Sequence, residues 1–392
     1  MSHTNELTLP PLSLYIHLPW CVKKCPYCDF NSHQVDRFEE QGKLPEEAYL
    51  TQLIADLDQD LSFAYGRKLQ SIFIGGGTPS LMSAHFYEHL LAQVEQKIPF
   101  MDNIEITMEA NPGTFEQEKF RAFRETGVNR LSIGIQSFQP HLLKALGRIH
   151  GRAEAITAVE KSRLAGFDNI NIDLMHGLPD QSMEQAMEDI QTAIDLNPEH
   201  LSWYQLTIEP NTEFYRRPPE LPEDTTLWNI QNAGQAKLQA NGYTQYEISA
   251  NSKAGKQATH NLNYWRFGDY IGIGAGAHGK LTLADGQIFR TRKTRHPNHY
   301  LDNLAEALCI KEEIATDDLP FEFMMNRLRL FEEFELSDYH RFCYQSPPEA
   351  LIHGCHTAIK KELLCASSWK KEKVKTTEKG RLFLNDLLEI FL

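Results

Sequence analysis

The stretch Leu18-Pro19-Trp20-Cys21-Val22-Lys23-Lys24-Cys25-Pro26-Tyr27-Cys28-Asp29-Phe30 comes directly after Leu14–His17, a short apolar run that reads as a strand. Three thiolates on one short loop can each take a corner iron of a cubane cluster. A structural zinc loop is the competing reading. Zinc in such loops takes four ligands, however, and the neighbours on offer, His17 before the loop and His33 after it, are poorly placed. The C-x3-C-x2-C spacing, with Tyr27 before the last cysteine, therefore points to a [4Fe-4S] cluster on Cys21, Cys25 and Cys28. Three ligands leave one iron open to bind a small molecule.

Outward from this loop the chain alternates. Candidate strands lie at Leu14–His17, Ser71–Ile74, Asn103–Glu109, Arg130–Gln136, Asn169–Leu174 and Leu201–Thr207. Amphipathic segments separate them at Glu46–Tyr65, Ala84–Lys97, Glu116–Glu125, Ala153–Ala165 and Met183–Asp195. Strands alternating with helices imply βαβ units and a parallel sheet. Six such units, without signals for two more, predict a partial, three-quarter parallel β/α barrel over residues 1–210.

Pro-rich sequence from Pro210 to Pro222 breaks the alternation. Residues 211–316 read as an extension of the barrel, with a helix at Thr225–Asn241 and a strand at Tyr243–Ser249. Gly272-Ile273-Gly274-Ala275-Gly276 reads as a tight loop, and Leu281–Arg290 as a hairpin turning at Asp285-Gly286. Residues 317–392 become helical and rich in Leu and Phe. A short hairpin near Val374–Gly380 and a terminal helix at Arg381–Leu392 predict a small winged-helix-like α+β domain.

Several residues fall where a barrel mouth would lie. Gly75-Gly76-Gly77-Thr78-Pro79 ends the second strand; a lone glycine triplet is a turn more often than a site, but here it stands where backbone could approach a ligand lying on the cluster. Glu109, Gln136 and Asp173 sit at or near the ends of strands three, four and five, and polar residues at the C-terminal ends of parallel strands face the active end of such barrels. Taken singly, each is also an ordinary cap or loop residue. Arg148, a short helix beyond Gln136, can pair bidentately with a carboxylate or lie on the surface.

Composition sets outer bounds. The chain has 392 residues and a formal charge of −14, so its bulk field repels phosphate backbones and argues against general nucleic-acid binding. The basic run Trp369–Lys375 reads as a solvated turn or wing. The first residues lack the basic start and apolar stretch of a signal peptide, and no apolar run is long enough to span a bilayer. Seven cysteines, three of them clustered and Cys309, Cys343, Cys355 and Cys365 scattered, fit a reducing, cytoplasmic compartment rather than a disulfide framework.

Taken together, Tyr15-Ile16-His17-Leu18-Pro19-Trp20-Cys21, the glycine stretch, Glu109, Ile135-Gln136-Ser137-Phe138 and Asn171-Ile172-Asp173-Leu174 resemble the oxygen-independent coproporphyrinogen III oxidase family of radical S-adenosylmethionine (SAM) proteins over nearly the whole chain. That resemblance implies SAM on the open iron, contacted by Tyr15, Gly76, Gly77, Thr78, Glu109, Gln136, Arg148 and Asp173. Two features depart from the oxidases. Phe30 stands where they carry a fourth cysteine, and only about a dozen residues precede the first strand. The sister subfamily of heme chaperones is matched by His260-Asn261-Leu262-Asn263-Tyr264-Trp265 and by Gly272–Gly279. This implies a third cofactor, heme, with His260 on the iron and Tyr264 and Trp265 against the macrocycle; His278 in the glycine-rich loop is the rival ligand. The expected function is heme binding and delivery to heme-accepting apoproteins, respiratory membrane proteins among them, at the cytoplasmic face of the membrane, with no residue assigned a catalytic role. The alternative is a coproporphyrinogen III dehydrogenase.

Overall fold

A computed structural model describes residues 8–35, 44–114, 116–302 and 309–392. Twelve strands form one sheet: β1 (Leu12–Leu18), β2 (Leu69–Gly76), β3 (Phe100–Ala110), β4 (Arg130–Gln136), β5 (Ile170–His176), β6 (His200–Gln205), β7 (Thr244–Gln245), β8 (Ala250–Ser252), β9 (Asp269–Ile273), β10 (His278–Thr282), β11 (Ile288–Lys293) and β12 (Cys309–Glu313). Their order is β12-β11-β10-β9-β1-β2-β3-β4-β5-β6-β8-β7. From β1 to β6 every neighbour is parallel, as the six alternating units require. Among the described residues the outermost strands β12 and β7 do not pair, so the sheet is an open, partial barrel.

The longer helices between the parallel strands are α1 (Glu46–Asp60), α2 (Ala84–Lys97), α3 (Gln117–Glu125), α4 (Arg152–Leu164) and α5 (Met183–Asp195). Their apolar stripes cover the outer face of the sheet. With both faces covered, β1 and β4 are buried almost without interruption, which is why they read as continuous apolar runs rather than alternating ones. Serine caps fix two of the helix starts: Ser83 accepts from the Phe86 N–H and Ser182 from that of Gln185.

The second half departs from the sequence reading in three places. Gly272 and Ile273 belong to β9, which pairs in parallel with β1, and the turn begins only at Gly274, with φ +103°. The Tyr243–Ser249 strand shrinks to the two residues of β7, because the sheet continues instead through β8, antiparallel to β6. Near the C-terminus, Lys373–Val374 pairs back to Phe334–Glu335 rather than closing a local hairpin, and the last helix breaks at Phe383 into Glu378–Leu382 and Leu384–Leu388. Asp285-Gly286 does turn the β10–β11 hairpin.

Helix α6 (Asp224–Ala240) lies against α5, and α7 (Thr259–Trp265) lies against β2. Helices α8 (Leu319–Arg327), α9 (Ser337–Cys343) and α10 (Glu349–Lys360) build a second apolar core, which also takes Phe267 and Ile288 from the preceding segment. A buried ionic network locks the glycine turn to α1. Lys293 Nζ lies 2.5 Å from Asp56 and 2.7 Å from Asp60, and Asp56 accepts from the Gly274 N–H at 3.0 Å and from the Tyr300 hydroxyl at 2.7 Å. Among the described residues no helix is long and apolar enough to cross a membrane.

Candidate functional site

The cysteine loop is pinned at both ends by backbone. The N–H groups of Gly77 and Thr78 donate to the Leu18 and Trp20 carbonyls, each at 2.7 Å, and the His33 N–H donates to the Pro19 carbonyl at 2.6 Å. A Cβ on Gly77 would run into the Trp20 carbonyl, so this glycine admits the loop itself. Gly76 sits at φ +110°, where a Cβ would meet the His17 imidazole. The glycine triplet thus lets the cysteine loop pack onto the end of β2, while Gly76 and Gly77 also line the cavity behind the loop.

Each sulfur has a polar neighbour. Thr78 Oγ1 donates to Cys21 Sγ at 3.6 Å, Arg148 donates to Cys25 Sγ at 3.6 Å, and Ser32 Oγ lies 3.7 Å from Cys28 Sγ. Among the described residues no three His, Cys, Asp or Glu side chains converge on a single ion position. Three thiolates on one loop suffice for a cubane in which each serves a separate iron. Burial pushes the Cys21 thiol up to about 11 and raises that of Cys28, so iron itself has to displace their protons.

Behind the loop lies a cavity of about 340 Å³ at the C-terminal ends of β2 to β6. Gly76, Gly77, Glu109, Gln136, Arg148 and Asp173 all line it. Thr78 borders a smaller recess beside Cys25 and Arg148, and Tyr15 lines a neighbouring cavity. The three strand-end residues are not level. Glu109 pairs in register with Ser132, and Asp173 with Gly134 and Ser202, while Gln136 stands beyond both with φ +73°.

Hydrogen bonds fix these groups. Asp173 accepts from Ser132 Oγ at 3.0 Å and Asn171 Nδ2 at 2.7 Å. Glu109 accepts from the Gly76 N–H at 3.1 Å, and Gln136 from the Tyr204 hydroxyl at 2.9 Å. Arg148 donates to Asn111 Oδ1 at 2.6 Å and to the Gly134 carbonyl, while its buried Nε has no partner among the described residues. Burial, then the charge of Asp173, pushes the Glu109 carboxyl up to about 7, against the pull of the Gly76 N–H; Asp173 is raised as well, chiefly by burial. Asn111 and Tyr204 escaped the sequence reading. Tyr204 obeys the rule that found Gln136, since it sits near the end of β6.

A larger cavity of about 740 Å³ adjoins the first and shares Phe30, Phe73, Gly76 and Glu109 with it. Tyr15, Tyr264 and Tyr270 supply aromatic wall, and His278, Arg292 and Arg295 from the β10–β11 hairpin and the residues after it supply a basic rim. Here the predicted heme residues part company. His260 is 1% exposed and does not line the cavity. Its Nδ1 lies 3.0 Å from Ser71 Oγ and its Nε2 2.7 Å from the Tyr264 hydroxyl, and burial lowers it to about 3. Both nitrogens are engaged, so in this conformation His260 offers none to iron. Trp265 also turns away: it packs with Tyr246, Ala250 and Leu330, with the Arg329 guanidinium 4.3 Å over its ring. Tyr264 and His278 do reach the cavity.

The radical SAM superfamily family model matches residues 15–192. The chain is 52% identical over 391 residues to the heme chaperone HemW of Escherichia coli, covering 98% of this chain and 99% of that protein. It is 51% identical to the heme chaperone HemW of Haemophilus influenzae, covering 98% of each. Among solved structures, the radical SAM coproporphyrinogen III oxidase HemN of Escherichia coli superposes with a TM-score of 0.81 at 21% identity, covering 99% of this chain and 91% of that one.

Proposed function

The chain belongs to the heme chaperone HemW family of radical SAM proteins, and from that premise we propose that it binds heme in the 740 Å³ cavity, delivers it to acceptor proteins, and keeps a [4Fe-4S] cluster and SAM in the adjoining 340 Å³ cavity. The observation that carries the reading is the shared wall, with Phe30 lining both spaces at the position where an oxidase has a further cysteine. A cavity of this size falls in the ligand-binding range of about 300–1,000 Å³. Its aromatic walls suit a flat macrocycle, and its arginine rim suits two propionates.

In the smaller cavity the donor and acceptor set matches SAM. Glu109 and Asp173 offer carboxylate oxygens to an ammonium and to ribose hydroxyls, and the partnerless Nε of Arg148 is a donor beside the cysteine loop. Bound on Cys21, Cys25 and Cys28, a [4Fe-4S] cluster supplies one-electron reduction next to the SAM sulfonium. Thr78, Ser32 and Arg148 hold polar groups toward the sulfurs, which sets how readily that electron is given.

Anaerobic reconstitution followed by two parallel assays tests the proposal. Hemin titration should give a saturable Soret band, and incubation with SAM and coproporphyrinogen III should give no protoporphyrinogen. Turnover of coproporphyrinogen by a protein that takes up no heme would sink it.

Glu109 adds a pH signature. A cationic ligand selects the ionised carboxyl, which sits near 7 in the ligand-free site. SAM affinity of the wild type should therefore rise through that region, by up to about tenfold per pH unit below it, and then level off. Glu109→Gln should flatten this rise relative to wild type in equilibrium dialysis and weaken binding by about 1–3 kcal/mol. Stability carries the opposite sign. The folded carboxyl lies above its ordinary 4.5, so its contribution is full below that value and is lost as pH climbs through about 7. An unchanged pH profile in Glu109→Gln would remove this carboxyl from the ligand.

A further inference from the structure

We infer that the floor of the 340 Å³ cavity is a second ligand site, built around Arg130 and taking the carboxylate of a small organic acid. On β4 the alternate residues Arg130, Ser132, Gly134 and Gln136 all line this cavity. Gln136 ends the strand, among the residues assigned to SAM, whereas Arg130 begins it. Six rises of about 3.3 Å put the two about 20 Å apart along the strand. The cavity therefore has a sulfur end and a floor. Asn171, level with Ser132 in the sheet register, joins Arg130 there. So does Asn261 of α7, the residue after His260, whose own N–H is anchored to Glu105 at 3.2 Å.

Arg130 is 2% exposed, and nothing answers its charge. Its Nε has no hydrogen-bond partner, and among the described residues no carboxylate comes within ion-pair distance. The Arg130 charge reaches Asp173, but that carboxylate is held by Ser132 and Asn171. Thr107 pairs in register with Arg130 and carries a second buried atom without a partner, Oγ1. His200 and His260 nearby stay neutral, since burial and then the Arg130 charge lower both.

A guanidinium does not shed its proton in a protein, and burying one without a counter-charge is costly. Water satisfies an N–H group but leaves the charge. A ligand anion answers both, and a carboxylate meets the guanidinium fork with two parallel hydrogen bonds. SAM does not supply that anion. Its amine and carboxylate are the part able to chelate an open iron, so they lie at the sulfur end. Asp173, on the same wall, repels a dianion more than a monoanion, so the floor suits a carboxylate better than a phosphate.

The test dialyses full-length, cluster-reconstituted protein with saturating SAM against radiolabelled acetate. One equivalent of acetate should bind saturably, yield to propionate, and resist acetamide, its neutral isostere. Arg130→Met should weaken acetate about 10- to 100-fold, with bound iron and SAM affinity at wild-type levels. Its melting temperature should hold or rise, because an unanswered buried charge has gone. Arg130→Lys keeps the charge but not the fork, and should bind acetate at an intermediate level. No saturable acetate in wild type, undiminished acetate in Arg130→Met, or stronger displacement by inorganic phosphate than by propionate overturns the inference. So does loss of iron or SAM in Arg130→Met, which would make the guanidinium part of the cluster and SAM site.

Discussion

Cys25→Ala should give a colourless protein with almost no bound iron after anaerobic reconstitution, and Cys21→Ala and Cys28→Ala should do the same. Three thiolates on a loop fixed by the Leu18, Pro19 and Trp20 carbonyls are the least that can hold a cubane with one open corner. Arg148 would lose its sulfur partner and be left as a cation among Tyr27, Tyr204 and Gln136. The four other cysteines are the controls. Cys343 and Cys355 lie in the second core, where burial raises both thiols to about 12, so they are inert small hydrophobes. Cys355→Ala should cost about 1 kcal/mol of stability and no iron. Cys365 is partly exposed and lowered to about 6 by hydrogen bonds from Ser367 and Ser368, which makes it the first thiol to alkylate. Blocking it should leave the brown colour intact. Normal iron and sulfide content in Cys25→Ala would remove the cluster from this loop.

What the sequence discloses about this molecule follows from how local each signal is. The parallel strands read well because both faces are buried, which makes them apolar runs bounded by helices. Arg130–Gln136, Ala84–Lys97 and Met183–Asp195 appear in the structure with the boundaries that the pattern predicts. The cysteine spacing and the strand-end carboxylates are equally local. Strand β9 was hidden because it runs into a glycine-rich turn and itself carries Gly272, which lies under His278 of the neighbouring strand, a close approach that only the paired sheet reveals. The facing of α7 was hidden for a different reason. His260 and Tyr264 share a face at i, i+4, but no local signal says whether that face looks at the sheet, the cavity or the second core. The structure sends the imidazole inward, the phenol to the cavity and the indole to Arg329. The basic rim leaves only a faint trace, since His278 and Arg292 are 14 residues apart in sequence and meet as a register pair of β10 and β11. Arg295 lies beyond the strand and joins them only through the fold.

Gly76→Val should abolish measurable SAM binding while the cluster still assembles, and the structure shows why the two effects separate. At φ +110° any L side chain is strained, at a cost of about 1–3 kcal/mol. The added Cβ also meets the His17 ring, which cannot step aside freely. Its Nδ1 is bonded to the Tyr15 hydroxyl and its Nε2 to the Asn31 carbonyl, and Asn31 Nδ2 donates to the Ala275 and Arg295 carbonyls at 2.9 and 2.7 Å. Pushing His17 therefore moves the trailing arm of the cysteine loop and the glycine turn together, and it removes the Gly76 N–H from Glu109 at the cavity wall. The leading arm is spared, because the N–H bonds of Gly77 and Thr78 to Leu18 and Trp20 remain. Iron content should stay near wild type, and SAM affinity should fall at least about 100-fold, equivalent to about 2.7 kcal/mol. Gly166→Ala, also at positive φ but with open space around the new Cβ, isolates backbone strain and should leave SAM binding unchanged. Gly76→Ala combined with His17→Ala removes the collision and keeps the strain, so partial recovery of binding over Gly76→Ala alone would assign the loss to the imidazole. Equal SAM titrations for wild type and Gly76→Val would show that the end of β2 does not touch the ligand.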